Sequence, residues 1–245
     1  MASAFVRRLV AWCSLAAMVG VFVVPAVGVR VGWLTRVQLV PAILAGAVLE
    51  LTALAVLIAL FGRLYCSVIC PLGIAQDLVR DCFGWVLPRR PSLASSAWVR
   101  AVRWTVFAVF AAGLGFGLTG LVEPYGIFGR FLAAGVRRVG APTVLVIVWS
   151  VGLFALILGL SLVRARWWCN LICPVGTLLG AVNRWAVFHV RIDGKACVRC
   201  GQCARRCDKG ALAVRPDKTV SVDPSLCVDC FACVGSCRKG ALQWR

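Results

Sequence analysis

Two stretches of the chain share one cysteine register, and that register leaves few folds open. Cys197, Cys200, Cys203 and Cys207 read C-x2-C-x2-C-x3-C, and Cys227, Cys230, Cys233 and Cys237 repeat the spacing. The duplication runs past the cysteines, because RCDKGAL at 206–212 returns as SCRKGAL at 236–242. Eight of the fourteen cysteines therefore fall within forty-one residues, and all four lysines lie beyond Arg191. A change of composition that sharp marks residues 191–245 as a small domain of their own. Each half is expected to be a cysteine loop followed by a turn and a short helix or strand.

The spacing has a chemical reason. A cubane [4Fe–4S] cluster needs four thiolates at tetrahedral corners, and a tight loop with cysteines three apart wraps three of its irons. The fourth ligand comes from the last cysteine of the other motif in two-cluster arrangements. One cluster is thus assigned to Cys197, Cys200, Cys203 and Cys237, and the other to Cys227, Cys230, Cys233 and Cys207. Arg205, Arg206, Lys209, Arg238 and Lys239 are expected to offset the clusters' negative charge, while Gly201, Ala204 and Ala232 leave them room. Zinc takes paired C-x2-C motifs separated by a longer loop. Disulfides do not suit a reducing compartment. The bacterial pattern ends in C-P, whereas Asp208 and Arg238 follow the last cysteines here, which alters a turn but removes no ligand.

The remainder, residues 1–190, reads as membrane. The chain is 61% hydrophobic, with a mean hydropathy of +0.91. Four apolar runs, Leu9–Val29, Val37–Gly62, Trp104–Val122 and Val139–Val163, each meet the roughly 17–25 residues a spanning helix needs. The first exceeds the apolar core of a signal peptide. The fold class expected is an α-helical membrane protein of four transmembrane helices carrying a small α+β ferredoxin domain. Arginines at 63, 80, 89, 90, 100 and 103 put the second connecting segment, both termini and the ferredoxin domain on the cytoplasmic side. The net charge of +18 flanks hydrophobic spans, as anionic lipid favours. No basic block interleaved with aromatics stands apart, so nucleic acid is not an expected partner.

A second duplication lies in this part. LYCSVICPLG at 64–73 returns as WWCNLICPVG at 167–176, so that Cys66 and Cys70, then Cys169 and Cys173, stand four apart before Pro71 and Pro174. Positions i and i+4 share a helix face, and the proline marks a break or a fresh helix start. If the second and fourth helices are neighbours, the four thiols can close on one object. A third iron–sulfur cluster, reversible dithiol chemistry or another metal, and plain packing of small apolar side chains all fit the spacing. Cys13 and Cys82 have no partner spacing and read as structural.

Only two glutamates occur, Glu50 within the second run and Glu123 at the end of the third, placed by the topology on the outer side. A quinol that gives up electrons must release protons, so both are candidate proton acceptors, and Glu50 equally suits a hydrogen-bonded pairing between helices. Tyr125 and the stretch 127–136 are candidates to wall an outer quinone pocket or to lie along the interface. A single histidine, His189, excludes a bis-histidine haem within the chain. No C-x2-C-H, G-x-G-x-x-G or Walker loop is present for covalent haem, NAD or ATP.

Residues 191–245 resemble the bacterial two-cluster ferredoxins. With the two C-x3-C-P motifs at 66–71 and 169–174, the whole chain resembles the membrane-bound polyferredoxin family of NapH, whose relatives include MauN, CcoG and the C-terminal half of NosR. The NapH resemblance implies quinol oxidation at the prokaryotic cytoplasmic membrane, with electrons passed to a reductase system through partner redox subunits. A CcoG-like role would instead imply a redox step on a metal or thiol during assembly of a respiratory enzyme. A NosR-like maturation or regulatory role is disfavoured, since no large extracytoplasmic domain is present here.

Overall fold

The first apolar run forms a single helix, α1 (Ala2–Val23). The computed structural model describes residues 2–24, 38–84, 97–113, 123–136 and 144–244, so the expected end of this span at 25–29 lies outside the described residues. The second run does not form one helix. It divides into α2 (Leu39–Leu44) and α3 (Val48–Phe61) around Gly46, whose φ of 60° is a left-handed conformation that a helix cannot continue through. The third run begins earlier than expected, in α6 (Ala97–Gly113), and its stretch 114–122 lies outside the described residues. The fourth is α8 (Val144–Val163). Among the described residues, one helix is long and apolar enough to cross a membrane, Ala4–Val23, with shorter apolar helices at Val48–Phe61 and Val148–Val163.

Each C-x3-C-P motif is a helix–turn–helix element. In the first, α4 (Leu64–Val68) stops and α5 (Pro71–Phe83) starts at Pro71. In the second, α9 (Trp167–Leu171) gives way to α10 (Pro174–Val182) at Pro174. The second cysteine is the N-cap in both, extended at φ −70°, ψ 114° for Cys70 and φ −64°, ψ 119° for Cys173. The expectation that each pair shares one helical face is therefore replaced by the fresh-start alternative: proline has no N–H to extend the first helix but is preset for the first turn of the next. The two copies pack crosswise, with α3 against α10 and α8 against α5.

Helix α7 (Pro124–Val136) corrects the two-sided placement of its segment. It packs against α1, α5 and α8, and its buried Ile127 and Phe128 share one core with Cys66, Cys70, Cys173, Tyr65 and Trp168. An amphipathic helix buries its apolar stripe where a partner exists, and here the partner is the motif core, not a far surface.

The C-terminal part is built from two antiparallel strand pairs and two short helices. Strand β1 (Val190–Ile192) pairs with β4 (Leu242–Trp244), and β2 (Leu212–Val214) with β3 (Val220–Val222). Helices α11 (Gln202–Arg206) and α12 (Ala232–Ser236) pack against each other. The duplication is visible in the backbone: Arg199 and Asp229, Gly201 and Phe231, and Gly210 and Gly240 all take positive φ at matching positions. This unit is fastened to α3, where Val187 and Phe188 donate backbone hydrogen bonds to Ala59 and Leu60. Phe61, Phe188 and Trp244 stack over that junction with ring centroids 5.3–5.9 Å apart.

Candidate iron–sulfur centres

The four cysteines of the paired motifs, Cys66, Cys70, Cys169 and Cys173, are all buried and drawn into one place. Each bears electrostatically on the others. Two arginines tie the motifs together reciprocally. Arg166, three residues before Cys169, donates from Nη1 to the Cys66 carbonyl at 2.8 Å; Arg63, three residues before Cys66, donates from Nη2 to the Cys169 carbonyl at 3.4 Å. Both guanidiniums are fully buried. The helix after each turn comes so close that a Cβ on Gly73 would stand 2.3 Å from the Cys66 oxygen, and one on Gly176 2.1 Å from the Cys169 oxygen.

Among the described residues, no group of three or more His, Cys, Asp or Glu side chains is gathered as a single metal ion requires. The thiolates around a cubane stand further apart than the ligands of one ion, so the donor set fits a cluster better than a mononuclear site. Burial pushes the Cys70, Cys169 and Cys173 thiols up, against the pull of Arg166 on Cys70 and Cys169. Two cationic side chains and a buried amide donor at the same spot suit an anionic centre: Gln76 donates from Nε2 to Cys169 Sγ at 3.2 Å and accepts from Ser161 Oγ at 3.1 Å.

Beneath the motifs lies an ion cluster that sequence reasoning missed. Arg166 grips Asp77 with Nε and Nη2, Lys209 Nζ reaches the same carboxylate at 2.9 Å, and Arg7 Nη1 stands 3.7 Å from it. Burial alone would raise the Asp77 pKa, but Arg166 and Lys209 overcome it and hold the carboxyl well below the usual carboxylate range. Lys209 was expected to offset cluster charge. It is buried and salt-bridged to Asp77 and Asp208, because a lone buried carboxylate needs cations around it, and it also acts on the Cys230 thiol. On the other side, Arg63 donates to the Ser225 carbonyl at 2.5 Å, and Asn183 Nδ2 to the Pro224 carbonyl at 2.6 Å. The ferredoxin unit thus docks directly on the paired motifs.

Within that unit the eight cysteines fall into two groups. Cys197, Cys200, Cys203 and Cys237 line a cavity of about 230 Å³, with Arg238 and Lys239 at its wall. Cys207, Cys227, Cys230 and Cys233 line a second, much smaller cavity. In each, the fourth cysteine comes from the other copy of the repeat. The second cavity also takes Lys209 into its wall, so it is the one facing the Asp77 cluster. Four thiols in each group are a donor set that fits a cubane. Arg205 folds back to the Cys200 carbonyl, and Arg206 is exposed.

The glutamates separate. Glu50 is half-buried in the first turn of α3. Glu123 is buried with Oε2 lacking a hydrogen-bond partner, and it lies close enough to Tyr65 to act on its phenol, alongside Cys70 and Cys66. Tyr65 donates to Gln38 Oε1 at 3.0 Å and accepts from the Leu39 amide. Glu123 therefore stands on the motif side. Tyr125 packs on Phe22. Cys13 and Cys82, read as structural, are exposed on α1 and α5.

Comparisons with known proteins agree with this layout. A family described as a 4Fe-4S binding domain matches residues 42–91 and again 145–193, one match over each C-x3-C-P motif. A 4Fe-4S dicluster domain matches residues 189–238. The ferredoxin-type protein NapH of Escherichia coli is 36% identical over 172 residues, 67% of this chain and 53% of that protein. The methylamine utilization ferredoxin-type protein MauN of Paracoccus denitrificans is 32% identical over 162 residues, 62% of this chain and 52% of its own length. YccM of Escherichia coli is 29% identical over 178 residues, 68% of this chain and 47% of its own. The chain spans about half the length of these curated relatives. No solved structure matches. With iron–sulfur domain matches over both duplications and these ferredoxin-type relatives, the chain belongs to the NapH/MauN-like polyferredoxin family.

Proposed function

We propose that the chain is the iron–sulfur electron-transfer component of a quinol-linked system in a prokaryotic cytoplasmic membrane, with three [4Fe–4S] sites. Cys66, Cys70, Cys169 and Cys173 hold the first, Cys207, Cys227, Cys230 and Cys233 the second, and Cys197, Cys200, Cys203 and Cys237 the third. The observation that carries the reading is the convergence of the four buried motif cysteines, cross-tied by Arg63 and Arg166, against the ferredoxin unit. The clusters supply one-electron storage when bound. Arg63 and Arg166 offset the charge of four thiolates, and Asp77 with Lys209 keeps the Cys207 group seated beside them. Glu123, with a buried oxygen that has no hydrogen-bond partner and with Arg130 as its neighbouring charge, takes the proton a quinol releases.

The apolar runs seat the chain in the membrane in this proposal, with both termini and both motifs on the cytoplasmic side, and α7 between the third and fourth runs packed on the motif core. Large apolar side chains stand exposed on the helices that make them, including Leu9, Trp12, Leu49, Val109, Leu145 and Leu156. Apolar surface of that extent needs a cover, and lipid supplies it. A partner redox protein receives the electrons at the Cys197 end, furthest in the proposed sequence from the membrane core.

The test is iron and acid-labile sulfide in anaerobically purified protein, wild type against a Cys66/Cys70/Cys169/Cys173→Ser variant. Three clusters require about twelve irons and two require about eight. Twelve falling to eight supports the reading, and eight in both overturns the first site. Reduction of the wild-type clusters by a short-chain quinol, followed by electron paramagnetic resonance, then tests the quinol link. No quinol-dependent signal in twelve-iron protein would refute that link alone.

A further inference from the structure

A cavity of about 240 Å³ lies where the N-terminal end of α6, the far end of α10 and the ferredoxin unit meet. Arg100, Arg103 and Arg184 line it, and Asp223 is the one carboxylate in its wall. All nine Asp and Glu residues are among the described ones, and of these only Asp223 lines the cavity. None of the three arginines is engaged in an ion pair among the described residues. Arg103 is 7% exposed, yet its Nε has no hydrogen-bond partner. Burial, and then the neighbouring Arg63 and Arg184, push its pKa down to about 10 despite Asp223. A buried cation in a set of three arginines with one carboxylate is costly, and an anion that completes the set relieves that cost.

We propose that this cavity binds a phosphate-bearing anion, the headgroup of an anionic phospholipid. The guanidinium fork matches phosphate oxygens in pairs. Trp104 and Trp185, half and three-quarters exposed, stand at the rim, and tryptophan favours the headgroup level of a bilayer. From Trp104 the apolar surface of α6 continues outward through exposed Val109, a track for the acyl chains. Basic pockets between helices at the cytoplasmic surface recognise such headgroups. Since the ferredoxin loop at Asp223–Ser225 closes one wall, a bound lipid also braces the contact through which Arg63 holds Ser225.

The inference rests on the membrane reading above, and the two fail separately. Carbonate washing of membranes tests the first: release of the chain overturns the membrane reading itself. For the second, delipidated full-length protein in neutral detergent is titrated with phosphatidylglycerol and with phosphatidylcholine and followed by native mass spectrometry. Wild type is expected to prefer phosphatidylglycerol by on the order of 10-fold or more. Arg100→Gln/Arg184→Gln, both at exposed positions, should abolish the preference, as should Arg103→Gln, while Arg191→Gln/Arg199→Gln should keep it. Iron content at the wild-type level shows that each variant is folded. Equal binding of the two lipids by wild type, or an unchanged preference in the pocket variants, overturns the proposal. Full displacement by millimolar inorganic phosphate would assign the pocket to a soluble phosphate and overturn the lipid as its source.

Discussion

Arg166 and Asp77 face each other fork to fork, Nε to Oδ1 at 2.9 Å and Nη2 to Oδ2 at 2.6 Å. The pair joins the second motif to the helix that follows the first, and Lys209 adds the ferredoxin unit to the same carboxylate. Asp77→Asn keeps the shape and removes the charge, leaving Arg166 buried without its counter-ion and Lys209 with Asp208 alone. Breaking one partner of a buried pair costs about 3–5 kcal/mol. The variant should unfold at a clearly lower temperature than wild type in the same detergent, and protease should release the C-terminal unit faster. Unchanged stability and protection would show that the ion cluster does not hold the two parts together.

The same pair fixes a pH dependence. The folded Asp77 pKa is depressed, so its contribution is complete above the unfolded carboxylate value of roughly 4 and is lost as pH falls from there toward the folded value. The difference in unfolding temperature between wild type and Asp77→Asn should therefore be flat from neutrality down to about pH 5 and should narrow below pH 4. A gap that widens on acidification contradicts the assignment.

Gln76 marks where the two repeats stop being equivalent. Its Nε2 donates to Cys169 Sγ, while the matching position after the second motif is the buried, apolar Leu179. A hydrogen bond to a ligating sulfur stabilises the reduced, more negative cluster and raises its potential. Gln76→Leu should keep the wild-type iron content and lower one midpoint potential by on the order of 50 mV, the equivalent of one hydrogen bond for a one-electron couple. Redox titration followed by electron paramagnetic resonance reads it. An unchanged potential at full iron content would remove Gln76 from the site.

What the sequence made legible was local. Cysteines at fixed short spacings wrap a loop whatever surrounds them, so the two ferredoxin groups could be written down from residue order together with the exchange of Cys207 and Cys237. The apolar runs were equally visible, but a left-handed Gly46 inside the second was not distinguishable from a tolerated glycine, and it divides that run into two helices. Contacts between distant segments were out of reach. Nothing in the order of residues announces that Asp77 meets Lys209, that Gln76 meets Cys169, or that α7 folds back so that Ile127 and Phe128 join the motif core. Those depend on which amphipathic faces find each other, a property of the whole packed set.

The crossing of the repeats gives the sharpest steric test. Gly73 and Gly176 each lie against the carbonyl of the first cysteine in their own motif, the oxygen that accepts from the other motif's arginine. A methyl group there meets backbone at 2.3 Å in the first copy and 2.1 Å in the second, and backbone cannot swing aside as a side chain can. Gly176→Ala must push α9 away from α10, loosen the Arg63 contact and spread the four thiols, at about 1–3 kcal/mol of overpacking. Gly73→Ala should do the same through Arg166. Both variants are expected to lose about four irons while keeping about eight in the ferredoxin unit. As a control, Gly152→Ala has nothing within 4 Å of its added methyl and should keep the wild-type iron content. Full iron in Gly73→Ala and Gly176→Ala would mean that the close approach of the helices does not set the spacing of the paired cysteines.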